Sequence, residues 1–504
     1  MSTVTSWIAT HARRTPDRIA VEDLAFDRTI TYGELSLRID ALAGHLTARG
    51  VRRGDRVAVL SRNSHQVIEV QYACAALGAI FVPLNWRLST QELADIGRDC
   101  APAVLLAESF LAERADAITE ALDISGLVWL SEAGGEDAYE AALATAAPVA
   151  PADVDSAEPW TIIYTSGTTG HPKGVIISHE SAAVTMLGIL VGTQLHTRAV
   201  TLAVLPYCHV AGLNVYTNPT LYLGARVVVM REFTPRTVLD ALTRREIPLT
   251  HFAGVPAVLQ GITLLPEWQD ARLENLVTLV GGAPVATSLL QEWAAHGCLP
   301  QTVYGISEAG ACVLLVPAGA ESDHPGSVGL PLAHAKVVIA DGNGEEAPTG
   351  VIGEVLISGP SVTPGYWGNP ALTAQSIDAH GRLHTGDAAY ADEGGYVHIV
   401  DRFKDMYISG GENVYPAEVE NILYQHPAVA EAAVVGMPDE RWGEVGHAFV
   451  VPRAGHAIDP EEMRAFVRTR LAPYKTPHHV TTIAALPRNT TGKILKRRLR
   501  TGER

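Results

Sequence analysis

Residues 164–174 read YTSGTTGHPKG, a segment with three Gly, three Thr, one Ser and a single Lys. Glycine lets backbone N–H groups approach an anion closely, hydroxyls add donors, and Lys adds a positive charge. The segment therefore predicts a phosphate-binding loop. Its spacing differs from the Walker pattern G-x-x-x-x-G-K-[ST], because Lys173 follows Pro172 and precedes Gly174. Taken alone, the segment is also compatible with a polar surface turn.

Composition narrows the class of protein around this loop. The chain has 504 residues, which at about 150 residues per domain predicts about three folding units. With 47% hydrophobic and 18% charged residues it has the composition of a globular protein, and a net charge of −17 argues against a broad nucleic-acid-binding surface. The five Cys are scattered without a C-x-x-C pair, which argues against a disulfide framework or a zinc ribbon and favours the cytoplasm.

Neither a signal peptide nor a transmembrane span is predicted. The N-terminal residues MSTVTSWIATHARRTPDR contain no apolar segment of the kind that a signal peptide requires. Residues 199–225 carry no Asp, Glu, Lys or Arg and are long enough to cross a bilayer. Because Pro, His and Asn interrupt them, we expect a buried strand, a loop and a helix around a cavity.

Apolar periodicity predicts an α/β fold. Short apolar segments such as RVAVLS (56–61), IFVPLN (80–85) and ARVVVM (225–230) alternate with helical periods, as in a parallel sheet. From about residue 326, Asp-Gly and Gly-Gly turns between alternating strands indicate antiparallel hairpins. We therefore predict a domain over 1–400 in which 326–400 is mainly antiparallel β, a hinge at 401–405, and a small α+β domain over 406–504.

Six motifs, taken together, resemble the adenylate-forming superfamily of acyl-CoA synthetases, aryl-CoA ligases, luciferase and adenylation domains. They occur in the order of that superfamily and span nearly the whole chain: TSGTTGHPKG (165–174), GGAP (281–284), YGISE (304–308), TGD (385–387), DRFKDMYISGGENVYP (401–416) and PRNTTGK (487–493). The resemblance implies a large N-terminal domain of two doubly wound sheets with a small distorted β-barrel, followed by a small mobile C-terminal domain.

The resemblance also implies a reaction in two steps. A carboxylate attacks the α-phosphate of ATP with Mg²⁺, which gives an acyl-adenylate and pyrophosphate; the thiol of CoA then takes the acyl group and releases AMP. Since the substrate carboxylate is already ionised at neutral pH, the protein has to supply positioning and charge stabilisation and no nucleophile. An AMP-forming acid–thiol ligase is therefore predicted, with ATP, a carboxylic acid and CoA as its small-molecule partners.

Residues of the first step are carried over from the motifs. The resemblance implies that the phosphates of ATP are held by Thr165, Ser166, Gly167, Thr168, Thr169, Gly170 and Lys173. Glu308 is expected to bind Mg²⁺ with Thr165, since magnesium prefers hard oxygen ligands. Lys493 would reach the α-phosphate in the transition state and would be the main catalytic residue, alongside Glu308, Lys173 and His209. From local sequence, Lys493 also begins a basic run that is compatible with solvent or a membrane surface.

The nucleotide base and ribose have their own predicted contacts. Adenine is expected between Gly282, Ala283 and Pro284 on one side and the ring of Tyr304 on the other. Gly305 is expected to contact the nucleotide, and Ser307 the α-phosphate. Ser307 stands where the superfamily usually has Thr, so the hydroxyl is retained. Asp387 and Arg402 are expected to bind the ribose hydroxyls. Plain turns at GGAP and at Asp387 are the alternatives.

The second step is assigned to the C-terminal part of the chain. Lys404 resembles the hinge residue about which the small domain turns, although an ordinary solvated Lys fits the local sequence as well. That rotation would bring Ser409, Gly410 and Gly411 to the tunnel through which pantetheine enters.

The acid is the least defined feature. The predicted acyl pocket consists of His209, Gly212, Gly281, Val303, Ala309 and Gly310. Malonate-type members place an Arg before the YG motif, where this chain has Val303, which argues for a monocarboxylate. His209 has an ordinary structural role as its alternative. Small side chains leave volume, and the segments SGGENVYPAEVE (409–420) and TSGTTGHPKGV (165–175) most resemble those of bacterial fatty-acyl-CoA ligases. We therefore predict a medium- or long-chain fatty acid, with an aryl or alicyclic carboxylate as the alternative.

Competing functions also follow from the sequence. The acyl group could pass to a carrier protein in place of CoA, or the chain could be a luciferase-like oxygenase, a regulatory nucleotide-binding protein or, least favoured, a P-loop kinase. Peripheral membrane contact and a homodimer are compatible with the sequence.

Overall fold

The computed structural model describes residues 4–122, 124, 126–131, 138–166, 172–244, 246, 248–488 and 494–502. Its strands, in chain order, are β1 Ile19–Asp23, β2 Arg28–Thr31, β3 Arg56–Leu60, β4 Ile80–Leu84, β5 Val104–Glu108, β6 Leu127–Leu130, β7 Pro159–Ser166, β8 Pro172–Ser178, β9 Val200–Ala203, β10 Arg226–Val229, β11 His251–Gly254, β12 Val277–Gly281, β13 Gln301–Tyr304, β14 Leu314–Leu315, β15 Leu330–Pro331, β16 Lys336–Ala340, β17 Gly353–Ser358, β18 Leu383–Ala391, β19 Val397–Arg402, β20 Tyr407–Ser409, β21 Glu412–Val414, β22 Val429–Asp439, β23 Gly443–Pro452 and β24 His479–Thr482.

The helices lie between these strands. They are α1 Trp7–Arg14, α2 Tyr32–Ala48, α3 His65–Leu77, α4 Thr90–Cys100, α5 Ala112–Leu122, α6 Ala138–Thr145, α7 His179–Gly192, α8 Asn218–Tyr222, α9 Pro235–Thr243, α10 Pro256–Thr263, α11 Thr287–Ala294, α12 Pro370–Ser376, α13 Pro416–Leu423, α14 Pro460–Arg468 and α15 Lys496–Thr501.

Two large sheets confirm the predicted α/β class. The first has the order β15-β14-β13-β12-β11-β9-β10-β1-β2, and its central strands from β13 to β1 are parallel. The second has the order β6-β5-β3-β4-β7-β8 and is parallel except for the hairpin β7–β8. Strands β4 and β5 are buried along their whole length, which explains why both read as continuous apolar runs.

Residues 336–402 form a four-stranded antiparallel sheet of order β16-β17-β18-β19, as the hairpin turns in the sequence predicted. Strands β16 and β19 lie at the two edges of this sheet, and Val397 of β19 also forms an antiparallel bridge with Gly329, just before β15. The sheet packs on residues that follow β13, through a cluster that contains Ala309, Val313 and Leu314.

The C-terminal part has its own sheet and core. Strands β21, β20, β23 and β22 are antiparallel neighbours, and β24 adds to β23 in parallel. Apolar residues of α13 and α14 pack on this sheet, with Val419, Leu423, Met463 and Val467 among its buried core. This matches the predicted small α+β unit; the domain limits at 401–405 stay a prediction.

The uncharged stretch 199–225 folds as a buried strand and helices. It contains β9, a π-helix over Gly212–Thr217 and α8, which agrees with the predicted strand and helix; the predicted cavity around them stays a prediction. In the described parts of the chain, no helix has the length and apolar character needed to cross a membrane. All five cysteines are buried and unpaired.

Candidate active site

A partly buried ion pair joins the phosphate-loop hairpin to the YGISE segment. Lys173, on β8, places its Nζ 2.8 Å from Oε1 of Glu308, which follows β13. Tyr366 completes a triangle: its hydroxyl donates to the same Oε1 at 2.9 Å and accepts from Lys173 Nζ at 3.0 Å. The structure therefore brings together two residues that sequence reasoning had assigned to ATP and magnesium.

The electrostatics of this triangle keep both charges. Burial opposes ionisation of Glu308, but the ammonium of Lys173 holds the pKa of that carboxyl below its ordinary value. Burial likewise disfavours the ammonium, and the Glu308 carboxylate raises the pKa of Lys173 above its ordinary value. At neutral pH the site thus holds a carboxylate and an ammonium group close together. The carboxylate can bind a metal ion, and the ammonium can bind a phosphate.

Thr165 lies across the hairpin from Lys173, because the two residues are cross-strand partners in β7–β8. Its Oγ1 is buried and has no hydrogen-bond partner within the described chain. Both side-chain contacts of Glu308 go to Oε1. An unsatisfied hydroxyl and a carboxylate fit a magnesium ion, which prefers oxygen ligands and keeps several waters. No group of three or more His, Cys, Asp or Glu that could hold a metal occurs in the parts of the chain the structure describes.

A second polar cluster surrounds Asp387. Tyr304 donates from its hydroxyl to Asp387 Oδ2 at 2.6 Å, and Arg402 Nε lies 3.0 Å from Oδ1. Asp387 and Arg402 are cross-strand partners in β18–β19, while Tyr304 ends β13. Burial, and then the Asp387 carboxylate, raise the pKa of Tyr304 well above its ordinary value, so its hydroxyl stays protonated and can donate. Three residues predicted separately for adenine and ribose thus meet at one place.

The predicted adenine-binding turn lies beside this cluster. Strand β12 ends at Gly281 and β13 is its parallel neighbour, so GGAP and YGISE leave the same edge of the sheet. Gly282 has φ +79°, a conformation that favours glycine, and Ala283 and Pro284 are exposed. Gly305 and Ser307 continue from Tyr304 and are half-buried.

Predicted acyl-pocket residues divide into two groups. Val303 packs against a buried apolar cluster, here called the pocket cluster, together with Ala211 and Ala311. The buried members of the pocket cluster are Ile189, Leu195, Ala199, Val215, Tyr216, Ala225, Ala253, Leu279, Cys312, Leu315 and Leu332. Ala309 does not join the pocket cluster but packs in the core of the antiparallel sheet, and its place in the acyl pocket stays a prediction.

Three glycines predicted for the acyl pocket are sterically required. A Cβ added to Gly281 would lie 2.2 Å from the carbonyl oxygen of Val303, and one added to Gly212 would lie 2.2 Å from that of Pro206. Gly310 has φ +85°, and a Cβ there would lie 2.2 Å from Thr185 Oγ1. Close backbone approach explains the small residues at these positions better than free volume does.

His209 is half-buried and lies shortly before the π-helix in the chain. Its backbone N–H donates to Pro206 O at 3.0 Å, and its Nε2 is buried without a hydrogen-bond partner in the described parts of the chain. Burial, and then the charge of Arg87, lower the pKa of His209 to about 4. At neutral pH the ring is therefore uncharged and can contact an apolar acyl group.

The residues predicted for CoA form a tight turn in the C-terminal sheet. Ser409 ends β20, and Gly410 and Gly411, with φ +62° and +88°, connect it to β21. A two-residue turn with both φ values positive is the type that joins a β-hairpin and favours glycine. A Cβ added to Gly411 would meet no atom within 4 Å, whereas one added to Gly410 would lie against Trp442. Lys404 is exposed between β19 and β20.

Several predicted residues lie outside the described residues. These are Gly167, Thr168, Thr169, Gly170 and Lys493, and for Ser166 only the strand assignment is described. Their proposed contacts with ATP stay predictions.

Tyr366 is the residue that sequence reasoning missed. It lies in PGYWGNP (364–370), between β17 and α12 in the chain. Its only sequence signal is an aromatic residue within a run of Gly and Pro. Its contacts reach 193 residues back to Lys173 and 58 back to Glu308. Neither separation could be inferred from periodicity.

Comparisons with known proteins address the class of the site. A family described as "AMP-binding enzyme" matches residues 8–367, and "AMP-binding enzyme C-terminal domain" matches residues 418–493. The chain belongs to the AMP-binding enzyme family. This confirms the predicted superfamily and the predicted class of AMP-forming acid–thiol ligase.

Full-length relatives within this family carry ligase names. The chain is 41% identical over 496 residues to a feruloyl-CoA synthase of an Amycolatopsis species, covering 98% of both chains. It is 36% identical to an indoleacetate–CoA ligase of Aromatoleum aromaticum, covering 98% of this chain and 96% of the relative. It is also 36% identical to a fatty acid–[acyl-carrier-protein] ligase of Streptomyces coeruleorubidus, covering 99% and 96%.

Solved structures of the family are similar along the whole chain. ATP-bound MatB from Rhodopseudomonas palustris is 31% identical, with a TM-score of 0.90 and 99% of both chains covered. Apo MatB from the same organism is 30% identical, with a TM-score of 0.81 and coverage of 99% and 98%.

Proposed function

We propose that this protein activates an aromatic carboxylic acid with ATP, releases pyrophosphate, and transfers the acyl group from the adenylate to CoA. The observation that carries this proposal is the paired arrangement at the sheet edge, with Lys173–Glu308–Tyr366 for phosphate and metal beside Tyr304–Asp387–Arg402 for the nucleoside. Glu308 and Thr165 would hold Mg²⁺, which would neutralise phosphate charge when bound. Lys493 would approach the α-phosphate.

The aromatic acid replaces the fatty acid favoured by the sequence. The relatives named for feruloyl-CoA and indoleacetate support a ring-bearing substrate, which the sequence kept as its alternative. The tight packing at Gly212, Gly281 and Gly310 also removes the argument that small residues there leave room for a long chain. The monocarboxylate inference from Val303 applies equally to both classes of acid.

Tyr216 supports a polar substituent on that ring. Its side chain is fully buried in the pocket cluster, 5.4 Å from the ring of His251. The hydroxyl lies near the Thr193 side chain but makes no hydrogen bond of normal geometry within the described chain. A buried hydroxyl without a partner is unfavourable, and a phenolic or carbonyl oxygen of a bound acid would satisfy it.

A fatty acid and a carrier-protein acceptor form the second candidate. The relative named as a fatty acid–[acyl-carrier-protein] ligase is the observation that favours it. Cytoplasmic location, peripheral membrane contact and homodimer formation stay predictions from the sequence.

An acid panel tests the proposal. The purified chain is incubated with ATP, Mg²⁺ and, in turn, ferulate, 4-coumarate, cinnamate, indoleacetate, octanoate and palmitate, and pyrophosphate exchange is measured without CoA. AMP release is then measured with CoA or with a pantetheinylated carrier protein. We expect the highest exchange with a hydroxylated aromatic acid, and Tyr216→Phe should weaken its advantage over cinnamate. Preferential exchange with palmitate would contradict the aromatic assignment, and transfer only to the carrier would contradict CoA.

A further inference from the structure

Asp401 connects the antiparallel sheet to the C-terminal unit. It lies near the end of β19, where it pairs with Ala388 of β18, so its backbone belongs to the sheet that also carries Asp387. Its side chain is only 9% exposed, and its Oδ2 accepts a hydrogen bond from the Ala417 N–H at 2.9 Å. Lys496 Nζ lies 3.9 Å from the same oxygen. Asp401 therefore precedes the predicted hinge residue Lys404 in the chain, whereas Ala417 and Lys496 follow that hinge.

The two helices that contact Asp401, α13 and α15, also contact each other. Lys496, the first residue of α15, places its Nζ 2.8 Å from Oε1 of Glu420 in α13, and the same oxygen accepts from the Val434 N–H at 2.7 Å. Burial disfavours the ammonium, but the Glu420 carboxylate raises the pKa of Lys496 above its ordinary value. This ion pair therefore joins α13 to the start of α15 through contacts that do not involve Asp401.

Electrostatic attraction favours the contact between Asp401 and the C-terminal unit. Ala417 is the second residue of α13, and the first turn of a helix carries free N–H groups and a partial positive charge that attract a carboxylate. The Lys496 ammonium adds a full positive charge on the same side. At the other end of α15, Arg500 donates to the backbone oxygen of Asp405 at 3.2 Å, which keeps this helix beside the hinge. If the C-terminal unit turned about the hinge, Asp401 would lose both partners.

We propose that Asp401 is a positioning residue that docks the C-terminal unit in the described orientation, and that this orientation serves the adenylation step. The proposal rests on the proposed function. The choice of step follows from the whole-chain comparison, because this chain is more similar to ATP-bound MatB than to apo MatB. Asp401 acts through its partners; it is adjacent to Arg402, which contacts Asp387 directly.

Asp401→Asn tests the docking role with little change in shape. The amide oxygen can still accept from Ala417, but the charge that attracts the helix terminus and Lys496 is removed. Asp459→Asn is the matched control, because Asp459 accepts from the Glu461 N–H at the start of α14 with both groups inside the C-terminal unit. Lys496→Met removes the other partner, and Lys496→Arg restores its charge.

Two measurements are made on the full chain. The half-reactions are followed separately, as pyrophosphate exchange with ferulate and as thioester formation from supplied feruloyl-AMP and CoA. Trypsin cleavage after Lys404, which is exposed, reports undocking without requiring activity. For Asp401→Asn and Lys496→Met we expect about tenfold slower adenylation, thioester formation within about twofold of wild type, and faster cleavage after Lys404.

Asp459→Asn should match wild type in all three rates, and Lys496→Arg should recover most of the loss. An equal fall in both half-reactions, or a cleavage rate after Lys404 equal to that of Asp459→Asn, would overturn the docking role. Slower thioester formation with normal adenylation would overturn the assignment of this orientation to the first step. A wild-type chain without exchange on any acid would refute the proposed function, while the cleavage rates would still decide whether Asp401 docks the unit.

Discussion

Replacing Lys173 by Met should destabilise the protein in a way that depends on pH. The change leaves the Glu308 carboxylate, which is 12% exposed, with Tyr366 as its remaining side-chain partner. Removing one partner of a fully buried ion pair costs about 3–5 kcal/mol. Because the Lys173 side chain is 27% exposed and Tyr366 still donates, we expect about 2 kcal/mol at pH 7.5.

The pH dependence follows from the pKa of Glu308. In the wild type this pKa is below its ordinary value, so the pair stabilises the fold at neutral pH and the contribution is lost as pH falls through the folded-state pKa. Without Lys173, burial dominates and the pKa of Glu308 rises above its unfolded-state value. Protonation then relieves the unpaired charge, and the difference between variant and wild type should shrink as pH falls from 7.5 to 5.

Urea unfolding followed by tryptophan fluorescence measures this effect. With a denaturant slope of about 3 kcal/mol per M, a loss of 2 kcal/mol lowers the midpoint by about 0.7 M at pH 7.5. Lys336→Met, at an exposed position, is the control and should leave the midpoint unchanged. Adding Glu308→Gln to Lys173→Met should recover most of the loss. An equal midpoint shift at pH 7.5 and pH 5, or no recovery in the double variant, would refute this reasoning.

Three further predictions concern the nucleotide, the C-terminal lysine and the backbone. Asp387→Asn should raise the KM for ATP about tenfold and reduce discrimination against 2′-deoxy-ATP, because the carboxylate that Arg402 and Tyr304 contact becomes neutral. Pyrophosphate exchange measures both effects. Unchanged discrimination would argue against ribose binding at Asp387. Lys493→Ala should slow adenylation by several kcal/mol while thioester formation from supplied acyl-AMP continues, and equal loss in both steps would contradict its assignment. Gly310→Ala should cost about 2–4 kcal/mol in thermal unfolding, since φ is +85° and Thr185 blocks the Cβ, whereas Gly381→Ala, at φ +72° with no atom within 4 Å, should cost about 1 kcal/mol.

Local sequence was sufficient for element type and for motif chemistry. Apolar runs such as 56–61 and 80–85 became β3 and β4 because burial on both faces requires continuous apolar residues. The Gly-rich loop was found from its residue types, whereas Glu308 of YGISE and Asp387 of TGD were found through the resemblance of the motifs to a known superfamily. The resemblance of the motifs then identified the class of ligase.

The sequence could not decide which acid is bound, because side-chain size alone does not define a cavity. Gly212, Gly281 and Gly310 looked like empty volume in the sequence, but neighbouring backbone or side-chain atoms occupy the space beside each of them. Ala309 follows Glu308 in the chain, yet its side chain packs on the antiparallel sheet and not in the cluster that Val303 joins. One residue along a turn changes the direction in which a side chain points.

The sequence by itself determined the order of strands and helices along the chain, the motifs, and the charged residues available for phosphate chemistry. Only the tertiary structure decided that Lys173 contacts a carboxylate 135 residues away, that Tyr366 joins them, and that Asp401 meets the helices beyond the hinge. The order of the strands within each sheet was also decided by the tertiary structure, since β1 lies beside β10. The physical reason is that periodicity and turn chemistry act over a few residues, whereas contacts between distant segments depend on how whole sheets and helices bury their apolar surface.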